Sequence, residues 1–357
     1  MPSRRRWQRV KELLAAALER PPAERESFLG SACAGDSALR REVDDLLTAQ
    51  VAAGPLEEPV VTVDDPPFRA MAAAWEVGRR LGGWRVVRSA GEGGMGAVYL
   101  VERRQQGAAQ RGALKLVPPG ADLPELAAAL ERELRILARL DHPGVARLLD
   151  GGRTPEGRPY VVVEWVEGDP LDAHCRSRRH GTASRVRLGW RLCTVVAHLH
   201  HDHVVHGDLK PDNVLVDGGG ALKLVDFGSA RSLADGAGST ATLPYTVAFA
   251  SPERVARQPP APASDVFALA VLLYRLLAGS GPVTAGAATV APSAAVRGRS
   301  WTREELLRHG VSDAGELAGE LAGALDELVL AALAPEPARR PSADELASRL
   351  EGWLAAR

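Results

Sequence analysis

Apolar residues recur at helical spacing in the first fifty residues and at strand spacing soon after. Trp7, Val10, Leu14 and Leu18 fall on one helical face, and that run stops at Pro21-Pro22. Pro22 can open a second helix through Phe28 and Leu29, and Asp36 or Ser37 can cap a third carrying Leu39, Val43, Leu46 and Leu47. These patterns predict a small all-α module over residues 1–51, joined by a Pro-, Gly- and acid-rich linker over 52–80. From Gly83-Trp84-Arg85-Val86-Val87 the period becomes two, and Gly91 to Val98 reads as a glycine-rich hairpin. Ala113-Leu114-Lys115 lies on the next strand, followed by a helix over 123–140 whose buried face is Leu126, Leu130, Leu134 and Leu137. Pro159 to Val166 reads as a central strand, 184–201 as a long helix and Val266 to Leu277 as a core helix. Residues 279–300, rich in Gly, Ala, Pro and Ser, read as a flexible surface loop.

The composition changes this picture little. The chain has 357 residues, 45% hydrophobic and 25% charged, so two domains or one large and one small are expected. A formal net charge of −1 supplies no general attraction to nucleic acid or an anionic membrane. Cys33, Cys175 and Cys193 lack Cys-x-x-Cys spacing and read as small buried hydrophobes in a reduced, cytoplasmic setting. Charges in Trp7-Gln8-Arg9-Val10-Lys11-Glu12 break the apolar core that a signal peptide needs, and no run of apolar residues is long enough to span a membrane.

The candidate chemistry lies in His206-Gly207-Asp208-Leu209-Lys210-Pro211-Asp212-Asn213 and Asp226-Phe227-Gly228, polar stretches between short apolar segments. Phosphoryl transfer needs a carboxylate to orient the attacking hydroxyl, a cation beside the moving phosphate and oxygen ligands for Mg²⁺. Asp208, Lys210, Asn213 and Asp226 are groups of those kinds. Glu133 sits one turn from both Leu130 and Leu137, on the apolar side of its helix, where a carboxylate needs a cation. Lys115 is the expected partner, whereas Glu131 lies off that face. The run His198-x-His200-His201-x-His203-x-x-His206 has the look of a metal site, but no supporting carboxylate-histidine cluster stands elsewhere.

These motifs resemble the catalytic loop and metal-binding motif of protein kinases, more narrowly of bacterial eukaryotic-type Ser/Thr kinases. The resemblance implies an α+β bilobal kinase fold over 81–355. It divides into a small β-rich N-lobe (81–166) and a mostly helical C-lobe (167–355), preceded by the small all-α module. It implies ATP held by Gly91, Gly93, Gly96, Val98, Ala113, Lys115, Val163, Glu164, Val166 and Leu215, and Mg²⁺ held by Asn213 and Asp226. Asp208, Lys210, Lys115 and Glu133 take the catalytic roles. Thr246 matches the residue that bonds the catalytic Asp and Lys in Ser/Thr kinases, so the expected partner is a protein substrate with a Ser or Thr acceptor. Asp265 matches the brace of the catalytic loop, and Arg340 the ion partner of Glu253. Residues 1–51 read either as a packing extension or as a docking surface for a second copy or a cytoplasmic regulator.

Gly207 stands where these kinases commonly carry an Arg that pairs with a phosphorylated activation-loop residue, so phosphorylation at Ser239, Thr240 or Thr242 is not expected to be an absolute requirement. His-Gly-Asp also opens the catalytic loop of small-molecule phosphotransferases of the aminoglycoside and choline kinase type. Those usually lack a counterpart of Lys210 and of the Ser251-Pro252-Glu253, Asp265 and Arg340 set. A catalytically weak pseudokinase scaffold usually loses one of the residues matching Lys115, Asp208 and Asp226, and all three stand here.

Overall fold

The computed structural model describes residues 28–33, 36, 40, 77–93, 96–105, 107–117, 124–235, 246–282, 284–285 and 288–357. The chain divides into two compact units, residues 1–62 and 63–357. In the first, residues 28–32 are helical, Leu29 and Cys33 are buried, and the Arg40 amide donates to the Asp36 carbonyl at 3.0 Å. The remaining helix and cap expectations for 1–51, and the linker expectation up to residue 76, lie outside the described residues.

The second unit opens with a sheet ordered β1-β2-β3-β4-β6-β5, every neighbouring pair antiparallel. Its strands are β1 (Arg80–Leu81), β2 (Trp84–Gly93), β3 (Gly96–Gln105), β4 (Ala108–Leu116), β5 (Leu148–Arg153) and β6 (Pro159–Glu164). Alternation along these strands gives the sheet two distinct faces. On one, Trp84, Val86, Tyr99, Val101, Leu114, Leu116 and Val162 form a closed apolar core. The other carries helix α1 (Pro124–Leu137), which replaces the expected 123–140 span and packs on β6.

Beyond β6 follow β7 (Gly168–Pro170), α2 (Leu171–Ser177), α3 (Thr182–His201) and β8 (Val204–Val205). After a 3₁₀ turn (Pro211–Asn213) come β9 (Val214–Asp217), β10 (Leu222–Leu224) and β11 (Arg231–Ser232). The helices α4 (Pro252–Val255) and α5 (Pro262–Ala278) lead through a two-strand hairpin, β12 (Thr284–Ala285) and β13 (Ala288–Thr289), into α6 (Pro292–Arg297). The rest is α7 (Arg303–Arg308), α8 (Ala314–Leu321), α9 (Ala324–Ala332) and α10 (Ala343–Ala355).

Helix α5 is apolar nearly all round, from Val266 to Ala278, and accordingly it is buried on most sides at the centre of the lobe. Gly189 lets α3 approach it closely, since a Cβ there would stand 2.3 Å from Leu273 Cδ2. The expectation of a flexible loop over 279–300 is corrected. Pro292 opens helix α6, Val296 is fully buried, and Ser293 bonds Asp326 through its amide (2.9 Å) and hydroxyl (2.5 Å). Small residues there permit close packing as readily as they permit disorder. Among the described residues no helix is long and apolar enough to cross a membrane.

Candidate active site

Strand register gathers the residues expected around the nucleotide. Val98 lies opposite Lys115, Leu100 opposite Ala113, and Ala113 opposite Val163. Directly opposed residues share a face, so Val98, Ala113, Lys115 and Val163 all lie on the face away from the Trp84 core. Each is partly exposed, while their chain neighbours Tyr99, Leu114 and Val162 are buried. Gly91 and Gly93 close β2 and Gly96 opens β3, pairing Gly93 with Gly96 at the hairpin end. Leu215 occupies a half-exposed position of β9, between the fully buried Val214 and the buried Val216.

Lys115 Nζ donates to Glu133 Oε2 at 2.9 Å and Oε1 at 3.2 Å, and to Asp226 Oδ1 at 2.5 Å. Burial alone would lower the lysine's pKa, but Glu133 and Asp226 outweigh it and hold the ammonium above its ordinary range. Burial pushes the Glu133 carboxyl up, with Lys115 opposing. Burial would likewise raise Asp226, yet Lys115 and the Gly228 amide hold it down at about 2. Glu133 also accepts from the Phe227 amide at 3.3 Å, so α1 touches the Asp226-Phe227-Gly228 stretch directly. Glu131 instead pairs with Arg153 on the outside. Asp226 has φ 61°, an uncommon backbone state for a residue other than glycine, and Asp is among the side chains that tolerate it.

The loop from His206 to Asn213 is held from beneath. Asp265, on the first turn of α5 and 1% exposed, accepts from the His206 amide at 2.8 Å and the Gly207 amide at 2.8 Å. His200 Nε2 lies 3.1 Å from the same carboxylate. Gly207 has φ 79°, and a Cβ there would stand 2.8 Å from the Ser229 carbonyl oxygen, so this turn fits glycine. His206 is fully buried and meets Phe227 edge-on with ring centroids 5.1 Å apart.

Above that support, Asp208 Oδ2 lies 2.9 Å from Lys210 Nζ, and Asp208 Oδ1 accepts from the Thr246 amide at 2.7 Å. Lys210 Nζ donates to Thr246 Oγ1 at 3.0 Å, which closes a ring of three side chains and one amide. Asn213 donates through Nδ2 to the Asp208 carbonyl at 2.8 Å, leaving its own Oδ1 as an acceptor.

The protein kinase domain model matches residues 84–350 of this chain. The chain belongs to the protein kinase family. Its relatives include the serine/threonine-protein kinase PknJ of Mycobacterium tuberculosis, 33% identical over 285 residues, covering 78% of this chain and 46% of that protein. The serine/threonine-protein kinase Pkn1 of Myxococcus xanthus is 34% identical over 254 residues, covering 66% and 34%. The serine/threonine-protein kinase PrkC of Bacillus subtilis is 30% identical over 215 residues, covering 58% and 32%. The chain thus spans less than half the length of these relatives.

Within this kinase domain the oxygen donors suit a hard cation. Asn213 keeps a carbonyl oxygen and the ionised Asp226 a second carboxylate oxygen beyond its lysine contact, and Mg²⁺ is commonly bound by one or two such groups together with phosphate oxygens. His198 pairs with Asp202, His200 with Asp265 and His201 with Asp344, and no group of three or more His, Cys, Asp or Glu among the described residues could hold a metal.

Sequence reasoning missed the tie between the β6 end and the C-lobe. Glu164 accepts from Lys223 Nζ at 2.5 Å and from the Arg147 amide at 3.0 Å, while its own amide donates to Arg147 O at 2.8 Å. A lysine alternating with Leu222 and Leu224 looks like any solvated strand residue, so no sequence signal marked it. The Glu164 amide is therefore committed within the protein, and the Trp165 amide reaches Arg111 O at 3.4 Å.

Proposed function

We propose that this chain is a Mg²⁺- and ATP-dependent protein kinase that phosphorylates Ser or Thr hydroxyls in bacterial cytoplasmic signalling. The observation that carries the reading is the closed ring of Asp208, Lys210 and Thr246. In it a carboxylate is oriented by two donors, and a lysine is held beside it by a threonine hydroxyl.

The substrate hydroxyl lies against Asp208, which orients its oxygen toward the γ-phosphorus and takes up its proton as the new O–P bond forms. The bond from phosphorus to the β–γ bridging oxygen breaks, and ADP departs with that oxygen. Lys210 sits where it can follow the charge on the moving phosphoryl group, and Lys115, fixed by Glu133, holds the phosphates that stay behind. Asn213 and Asp226 hold Mg²⁺, which when bound offsets phosphate charge. Val98, Ala113, Val163 and Leu215 provide apolar walls for the base, with main-chain groups of Glu164 to Val166 along its edge. The glycines Gly91, Gly93 and Gly96 let backbone amides approach the phosphates. Residues 1–51 serve in this reading as the contact for a second copy or a cytoplasmic regulator.

The acceptor decides between this and phosphorylation of small alcohols. Incubation with Mg-ATP and either casein or a panel of amino sugars and choline is expected to label casein alone. Label confined to the small alcohols would overturn the assignment.

A further inference from the structure

Outside the transfer site, the C-lobe holds a cavity of about 130 Å³ whose lining is strongly cationic. Arg176, Arg185, Arg275, Arg299 and Arg308 line it against only Asp172 and Glu305. That is about four times the ~30 Å³ share of one water in the liquid, room enough for a carboxylate or phosphate group with water around it.

These arginines are not equivalent. Arg185 is buried and consumed by structure, donating to the His180, Leu276 and Arg308 carbonyls. Arg176 is paired with Asp172 at 2.6 Å, Arg299 with Glu305 at 2.5 Å and Arg308 with Glu304 at 2.6 Å. Arg275 has no carboxylate partner among the described residues. Its guanidinium lies 5.4 Å from the centroid of the Phe249 ring, an interaction that leaves its N–H edge open.

The location connects this cavity to the acceptor. Phe249 lies three residues beyond Thr246, and its amide donates to the Thr246 carbonyl at 3.1 Å. On the other side Asp172 and Arg176 belong to α2, which packs on the 3₁₀ turn ending in Asn213. One wall of the cavity therefore packs on the turn that ends the catalytic loop, and Arg275 in the opposite wall touches the segment that carries Thr246.

We propose that this cavity is a substrate subsite that takes an anionic side chain of the protein substrate near the acceptor hydroxyl, with Arg275 as its principal contact. The inference rests on the protein kinase reading above and adds to it a substrate class, acidic or previously phosphorylated sequences. Glu, Asp and phosphoserine share the chemistry that the site reads, which is bidentate anion recognition by guanidinium.

The test uses the full chain and peptides with one acceptor Ser, in which Gln, Glu, phosphoserine or Lys is scanned one position at a time. Both kcat/KM and equilibrium binding by fluorescence anisotropy are measured. At one or two positions Glu or phosphoserine is expected to raise kcat/KM about tenfold over Gln and Lys to lower it, with the preference shrinking at high salt. Arg275→Gln should bring the Glu-to-Gln ratio toward one, and Arg308→Gln, at a more exposed side chain, is the second variant should the first fold poorly. A gain from Glu and phosphoserine alike assigns acidic substrates, and a gain from phosphoserine alone assigns substrates phosphorylated beforehand. Equal binding and equal turnover for Glu and Gln peptides at every position, or ratios unchanged in both variants, would overturn the subsite. Glu-selective binding without phosphorylation of any acceptor would retain the subsite and sink the kinase reading instead.

Discussion

Lys115 joins three parts of the molecule: its own strand β4, helix α1 through Glu133 and the Asp226-Phe227-Gly228 stretch through Asp226. Replacing it with Met removes the cation and leaves Glu133 buried without its strongest partner. Lys115→Met is expected to lower phosphoryl transfer by about 10²–10³-fold and also to lower the melting temperature, because the carboxylate must then be desolvated alone or protonated. A variant that melts early but turns over normally would show that Lys115 only supports the fold. Gly207 carries a different expectation. With no side chain at that position to hold a phosphate, Ala at Ser239, Thr240 and Thr242 together should leave turnover within about threefold of wild type. Loss of turnover with the fold intact, read by circular dichroism, would contradict it. The Lys115–Glu133 pair was legible in the sequence because a carboxylate on an apolar helical face demands a cation. The Lys115–Asp226 contact was not, since nothing local in either stretch encodes how closely the two lobes meet.

Helices α3 and α5 meet where Gly189 has no side chain, and that contact carries the catalytic loop at the end of α3. Gly189→Val should push the helices apart, costing about 1–3 kcal/mol or more in chemical denaturation, with any loss of turnover following from displacement of His206 to Asp208. Unchanged stability would mean that the helices repack freely. At the other end of α5, Glu253 of α4 is gripped by Arg340 at 2.7 and 2.9 Å and by Ser264 at 2.8 Å. Burial would raise its pKa, but Arg340 and the Ser264 hydroxyl outweigh that and hold it at about 2. Because the folded value lies below the ordinary ~4.3 of Glu, the unfolded chain binds more protons between those limits. The stabilisation is present above about pH 4.3 and lost as pH falls toward about 2. Glu253→Gln is expected to melt well below wild type at about pH 6, since it strands a buried Arg340, with the gap narrowing by about pH 3. A constant gap would assign the cost to packing. Periodicity alone located α1, α3 and α5 to within a few residues. It failed over 279–300, because Gly, Ala, Pro and Ser compose close-packed corners as well as loose loops, and only the buried Val296 and the Ser293–Asp326 bonds distinguish the two.

At the scale of the whole molecule, the bilobal architecture was what the resemblance of the motifs from Gly91 to Arg340 to those of protein kinases implied, and the family model that matches residues 84–350 agrees with it. What the sequence could not convey is which surfaces flank the site once the chain is folded. The cationic cavity draws on α2, α3, α5, α7 and the segment before α7, far apart along the chain and individually unremarked in it. The family model covers residues 84–350, and Asp208 lies within that part of the second unit. The role proposed for Asp208 is checked by incubating wild type and Asp208→Asn with Mg²⁺ and radiolabelled ATP, then separating the phosphoamino acids of a protein acceptor. Label on Ser or Thr is expected with the wild type, and a reduction of about 10²–10⁴-fold in the variant, whose fold and ATP affinity are retained. Equal labelling by both proteins, or none by either despite measurable ATP binding, would contradict it.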